Sequence, residues 1–387
     1  MGNLYDAHNQ WVKRPPDERF WNIDELITAT RRYKELAFIG HTSLAELKFT
    51  SKNNDLLLEG KTGVQAQMGH YSFNQLTRLL GAPSEYLREL PTGIAGCLLN
   101  LGVAQHKNQD RGMALLMQRT NGDITCRAAL SESYTRIWDC DLASRIKTCL
   151  HNAAGWRTPP ARPAFADIRA RPATADDLCK SSHVQLGEMI SPAGLYASEK
   201  DMFLTFIQES NPINIHGNNY FRGCTISNSE VGDRKNEYSF FFYSEMCGNH
   251  IFWNVPWVQN ISIIHRSDAD DRAMLAVERD LNKFAQMSTE QDTDLIHKAQ
   301  AKLLGNTSDD VVNTLWKERL SGITQGEIRG AVAIAATPEY EADLAGASPR
   351  SVWGVVQGIT RLSQKEEYMD KRVKLDRVAG RVLEMAF

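Results

Sequence analysis

Residues 219–253 read NYFRGCTISNSEVGDRKNEYSFFFYSEMCGNHIFW, and this stretch decides the fold class. Tyr220–Ser227 and Glu237–Met246 are rich in β-branched and aromatic residues, which suit a pleated, half-buried surface. Between them lie Asn228-Ser229-Glu230-Val231-Gly232 and a charged tip, Asp233-Arg234-Lys235, with the Asn, Ser, Asp and Gly chemistry of turns. A central hairpin is expected. On its second strand Tyr238, Phe240 and Phe242 alternate with Phe241 and Tyr243, so both faces of the sheet are expected to be covered.

Working outward, Met202–Gln208 and Asn260–His265 read as further strands. Toward the N-terminus, Asn22 caps a helix whose apolar positions are Ile23, Leu26, Ile27, Tyr33 and Leu36. Ala45, Leu47 and Phe49 alternate with polar residues and turn through Lys52-Asn53-Asn54 into Leu56–Leu58, a hairpin pattern. Ser72 to Gln75 reads as a capping box, with Gly81 and Pro83 ending that helix. Short helices are expected near 83–90 and 93–105, and a longer one near 139–152. Asn121-Gly122 joins Met113–Arg119 to Asp123–Leu130, a strong two-residue hairpin signal. From Asp268 onward the pattern is helical, with breaks near Gly305, Gly322, Pro338 and Pro349.

The expected class is therefore α+β, a hairpin-rich antiparallel core with flanking helices and an all-helical C-terminal region. The segments are an arm (1–21) with Phe20 and Trp21 docked on the body, a mixed α/β region (22–154), a Pro/Arg-rich linker or loop (155–180), a β-rich centre (181–266) and the helical 267–387. Near the end, Lys365–Met385 mixes cations, acids and apolar residues as a solvated surface helix does.

Bulk properties exclude little. A chain of 387 residues with 42% hydrophobic and 24% charged content has material for a sizeable core. A net charge of −3 means that any nucleic-acid contact must come from local basic patches. Seven scattered cysteines without CxxC pairs suit a reducing cytoplasm rather than a disulfide framework. No signal pattern, myristoylation motif or bilayer-length apolar run is present, so a cytoplasmic location away from membranes is expected.

Three constellations carry chemistry. Arg127, Tyr134, Arg136 and Trp138 follow the Asn-Gly hairpin, and Phe221, Arg222, Arg234, Lys235 and Tyr238 surround the central one. Cations for phosphates beside aromatic faces for bases are what a single-strand binder requires. Arg157, Arg162, Arg169 and Arg171 could add a phosphate clamp, while Asn228, Ser229, Glu230 and Gly232 would shape the turn between the clusters, with Glu230 pairing to Arg222 or Arg234. The third constellation is Cys247-x-x-His250 with Cys224, His216 and His265; its C-x-x-H spacing is that of a zinc half-site without a second half. Buried thiols on strands explain the same cysteines, and neither a metal nor a cofactor is expected. No Walker loop, dinucleotide fingerprint or nucleophile elbow occurs, and no strong second carboxylate partners Glu230.

Arg127-Ala128-Ala129-Leu130-Ser131 with Tyr134, then Asn228–Gly232, Cys247 with Asn249, and His265-Arg266 follow in order the pattern of a phage and plasmid family called domain of unknown function nine-three-two. Arg14–Phe20 and Ser351-Val352-Trp353 with Ile359-Thr360 also resemble its members, so the likeness covers roughly residues 10–380. His250 stands where the family has glycine, which speaks against a metal ligand there. The resemblance implies a bacteriophage or mobile-element protein akin to single-strand annealing proteins, which form rings or filaments and hold an extended strand in a basic groove. The expected function is thus single-stranded DNA binding that promotes annealing and recombination by a homo-oligomer without cofactor chemistry. The alternatives are an enzyme acting on nucleotides or nucleic acid around Glu230, Cys247, His250 and His265, and an anti-restriction or host-interaction protein.

Overall fold

A computed structural model describes residues 17–120, 122–152, 155–163, 169–180, 184–215, 217–244, 250–252, 261–263, 279, 283, 290–366 and 368–386. The fold is α+β. Its centre is an antiparallel sheet ordered β1 (Glu18–Arg19), β12 (Leu195–Ala197), β13 (Met202–Ile215), β14 (Asn218–Asn228), β15 (Asn236–Ser244) and β16 (His250–Phe252). β17 (Ile261–Ile263) also pairs with β15, and β8 (Trp156–Arg157) pairs with β13. The expected hairpin is β14–β15, in register from Tyr220 opposite Ser244 to Ser227 opposite Glu237.

Alternation sorts the side chains as anticipated. Tyr220, Cys224, Ile226, Tyr238, Phe240 and Phe242 enter one core, and Phe221, Phe241 and Tyr243 enter another on the opposite face. Gly223 makes the second arrangement fit: a Cβ there would stand 2.3 Å from Cζ of the Phe241 ring on the paired strand.

The first core receives helices from both ends of the chain. α1 (Ile23–Leu36), capped by Asn22, contributes Leu26 and Ile27, and α5 (Asp139–Asn152) contributes Leu142, Ala143 and Ile146. The C-terminal helices α7 (Glu290–Ala301), α8 (Ser308–Lys317), α9 (Gln325–Ala335), α10 (Val352–Ser363) and α11 (Met369–Glu384) pack into the same core, so they are continuous with the sheet. Thr307 and Thr324 open α8 and α9 as N-caps with capping boxes. α11 is more buried than its mixed composition suggests, because Asp376 and Arg372 point inward and the Ser363 hydroxyl on α10 donates to Asp376.

A second sheet is ordered β2 (Ala37–Ser43), β6 (Gly112–Thr120), β7 (Asp123–Ser131), β5 (Gln65–Met68), β4 (Asp55–Glu59) and β3 (Lys48–Lys52). Both predicted hairpins lie here, with Asn53, Asn54 and Gly122 at positive φ; Leu44–Glu46 is a 3-10 turn rather than strand. One face packs with α2 (His70–Leu79), α3 (Ser84–Arg88) and α4 (Thr92–Gln105) around Leu56, Leu58, Phe73, Leu76, Leu87, Leu99 and Leu115. α2 starts two residues before the predicted capping box, and Ser72 instead donates to the carbonyl of Cys126 on β7.

The described parts of the Pro/Arg-rich segment are tied down. β9 (Arg162–Pro163), β11 (Met189–Ser191) and β10 (Arg171–Pro172) make a small third sheet, followed at β10 by α6 (Ala175–Lys180). Phe20 is buried as expected of the arm, and Arg169 and Arg171 stack on Phe20 and Trp21 at 4.3 and 4.0 Å. No helix among the described residues is long and apolar enough to cross a membrane.

Candidate functional site

The turn Asn228–Gly232 is the junction of the two large sheets. Val231 is buried against Tyr71 of α2 and against Leu116 and Ala128 of the second sheet. Gly232 is required at φ +73 because a Cβ there would meet Leu130 at 2.7 Å. Four of the five residues are clasped by the N-terminal region. Gln75 Nε2 donates to the Val231 carbonyl at 2.7 Å while its Oε1 accepts from the Ala129 amide at 2.8 Å. Tyr134 Oη donates to the Ser229 carbonyl at 2.8 Å, and Arg136 Nε donates to that of Glu230 at 2.9 Å.

Glu230 is 2% exposed and pairs with neither Arg222 nor Arg234. Its Oε2 accepts from Arg127 Nη1 at 3.2 Å and its Oε1 from the Asp139 amide at 3.0 Å. Arg127 Nη2 reaches the Glu199 carbonyl at 2.9 Å. The reason is strand alternation: Arg222 lies on the core face of β14 and donates to Asp292 on α7 at 2.8 Å, whereas Arg234 reaches Asp201 at 3.1 Å. Burial pushes the Asp292 carboxyl up, against the pull of Arg222.

Asp139, at the start of α5, supplies a second carboxylate that sequence reasoning missed. Asn228 Nδ2 donates to its Oδ1 at 2.7 Å and to the Ile137 carbonyl at 2.9 Å. Burial first, then the Glu230 charge, raise the Asp139 pKa well above the usual carboxylate range, while Asn228 and Arg127 oppose them. Two adjacent carboxyls could divide acid and base roles where a substrate reaches them. Here both are sealed, and both Glu230 oxygens hold the junction together, so the arrangement is structural.

The sequence-derived nucleic-acid residues therefore scatter. Arg222 and Tyr238 are each 1% exposed, which corrects the expectation that they meet phosphate and base. Arg127 is committed to Glu230, and Arg234, engaged with Asp201, lies 4.6 Å from the Phe203 ring centroid. Of the clamp, Arg157 binds Glu209 at 2.6 Å, Arg169 binds Glu18 and Glu25, and Arg171 holds the Asp177 carboxyl well below its usual range. The Arg162 side chain, Cys247, His216 and His265 lie outside the described residues, as does the side chain of His250; Cys224 is in the core. Among the described residues no cluster of His, Cys, Asp and Glu is arranged to hold a metal.

What stays at the surface is a short ladder. Tyr134, Arg136 and Trp138 come from an extended segment and are each half-buried, with Ile137 in the core. Arg136 lies 5.6 Å from the Tyr134 ring and 5.4 Å from that of Trp138, and Lys34, paired with Asp141 at 2.6 Å, lies 5.5 Å from Trp138. Lys235, exposed at the hairpin tip, and Lys200, between Asp233 at 2.9 Å and Asp370 at 3.1 Å, flank the same turn.

No family model, curated protein or solved structure matches the chain. The residues themselves thus carry the functional reading.

Proposed function

We propose that this protein binds single-stranded DNA across the Tyr134–Arg136–Trp138 ladder and promotes strand annealing without cofactor chemistry. The observation that carries the reading is the alternation of cation and aromatic along a partly exposed segment: Lys34, Trp138, Arg136 and Tyr134 in series, beside exposed Lys235. Cations attract the phosphates at low salt, and an indole or phenol face accepts a base of any sequence. The buried junction contributes by fixing the ladder, since Arg136 and Tyr134 are both anchored to the backbone of the turn.

Fluorescence anisotropy with a labelled oligonucleotide tests this. Affinity is expected to fall linearly with salt on a log–log plot, and Lys235→Gln should reduce the slope by about 0.7 if it meets one phosphate. Trp138→Ala should weaken binding by about 5- to 100-fold, the equivalent of one lost stacking contact. Undetectable binding at low salt, or a Trp138→Ala variant that binds like the parent, overturns the reading.

A further inference from the structure

We propose that the outer face of α4 is an isologous interface through which two copies of this chain pair by antiparallel helices. α4, TGIAGCLLNLGVAQ, has no charged residue and is apolar on all sides, a composition usual for a helix covered all round. Its inner side is fully engaged. Ala95, Leu99 and Val103 are buried, and Asn100 exchanges two 2.8 Å hydrogen bonds with the backbone of Phe49 on the edge strand β3. Thr92 and Ser51 are 2.7 Å apart at the other end of that contact. The helix is thus a rigid ridge on the second sheet. Its outer side carries Ile94, Leu98 and Leu101, 51%, 41% and 53% exposed, with exposed Cys97 among them.

Charge and symmetry identify the occupant. Exposed Glu85 and Glu89 precede the stripe, with Arg88 between them half-buried and donating to Asn74, and exposed Lys107 and Arg111, with one acid, Asp110, follow it. An antiparallel pair sets the acidic end of each copy over the cationic end of the other, twice by symmetry. The apolar positions are nearly palindromic about a point between residues 97 and 98. A two-fold axis there puts Ile94 of one copy opposite Leu101 of the other and brings the two Cys97 thiols together. A 14-residue helix is about 21 Å long. Such a seam falls short of a standard interface, so the dimer is weak, with Kd on the order of micromolar.

Sedimentation equilibrium on the full chain, reduced and without nucleic acid, tests this from about 1 to 200 μM. A rise to twice the monomer mass is expected. Leu98→Glu, which sets two carboxylates face to face, should weaken pairing by about 100-fold. Leu178→Glu, at an exposed apolar position away from α4, should leave it unchanged. A short bis-maleimide should join the dimer through Cys97, and Cys97→Ser should pair normally yet escape the cross-link. Because these positions are exposed, the variants should keep the parent's thermal transition. A chain monomeric throughout, a Leu98→Glu variant that pairs like the parent, or a dimer that Cys97 does not cross-link overturns the proposal. The assay contains no DNA, so its outcome is independent of that of the binding experiment.

Discussion

β14 is gripped at its two ends by different chemistry. At the Asn228 end the second sheet is held by an ion pair, a carboxyl–amide contact and donors to three successive carbonyls, those of Ser229, Glu230 and Val231. At the Tyr220 end the C-terminal helices are held mostly by apolar area, with the Tyr220 ring edge-on to buried Trp353 at 5.8 Å, and by a single buried ion pair, Arg222 with Asp292. An apolar contact tolerates small changes of shape and of position. A buried charge requires its partner at one distance and angle. The polar end therefore sets how the two sheets meet, and the apolar end supplies bulk stability.

Substitutions that preserve volume separate these roles. Glu230→Gln keeps the size of the side chain but leaves Arg127 buried without its counter-charge, and is expected to cost about 3–5 kcal/mol in denaturant unfolding. A loss under about 1 kcal/mol would remove the distinction between the two ends. Next in size is an effect of pH at Asp139. Its folded pKa is raised, so the folded state binds more protons than the unfolded one, and stability falls as pH rises from about 4 through the raised value. Asp139→Asn, which can still accept from Asn228, should be the more stable protein at neutral pH and should flatten that dependence; parallel pH curves for the two proteins would contradict it. The smallest effect belongs to the apolar end, where Ile359→Val on α10 should cost about 0.5–1.5 kcal/mol with no change in pH profile.

The hairpins, the capped α1 and the extent of α5 were legible because alternation, Asn-Gly chemistry and caps are local signals. The two-sided aromatic strand likewise announced a sheet covered on both faces. The partners of the turn were not legible, because they depend on tertiary register. Arg222 and Arg234 are close to Glu230 in sequence, yet the true partner lies 103 residues away. Asp139 reads as an ordinary acid in the first turn of a helix, and only the fold sets it beside Glu230. Arg372 and Asp376 were misleading for a related reason: a mixed helix looks solvated until a neighbour such as Ser363 provides a hydrogen-bond partner inside. The Pro/Arg-rich stretch resembled a free loop because the stacking of Arg169 on Phe20 and Arg171 on Trp21 spans about 150 positions.

The 103-residue separation of Arg127 from Glu230 also has a meaning in time. During synthesis at about 5–20 residues per second, the second sheet leaves the ribosome roughly 5–20 s before its acidic partner exists. The guanidinium waits in water meanwhile, where an unpaired charge costs little. Its desolvation comes due only when the turn docks, at the step where the carboxylate arrives to meet it.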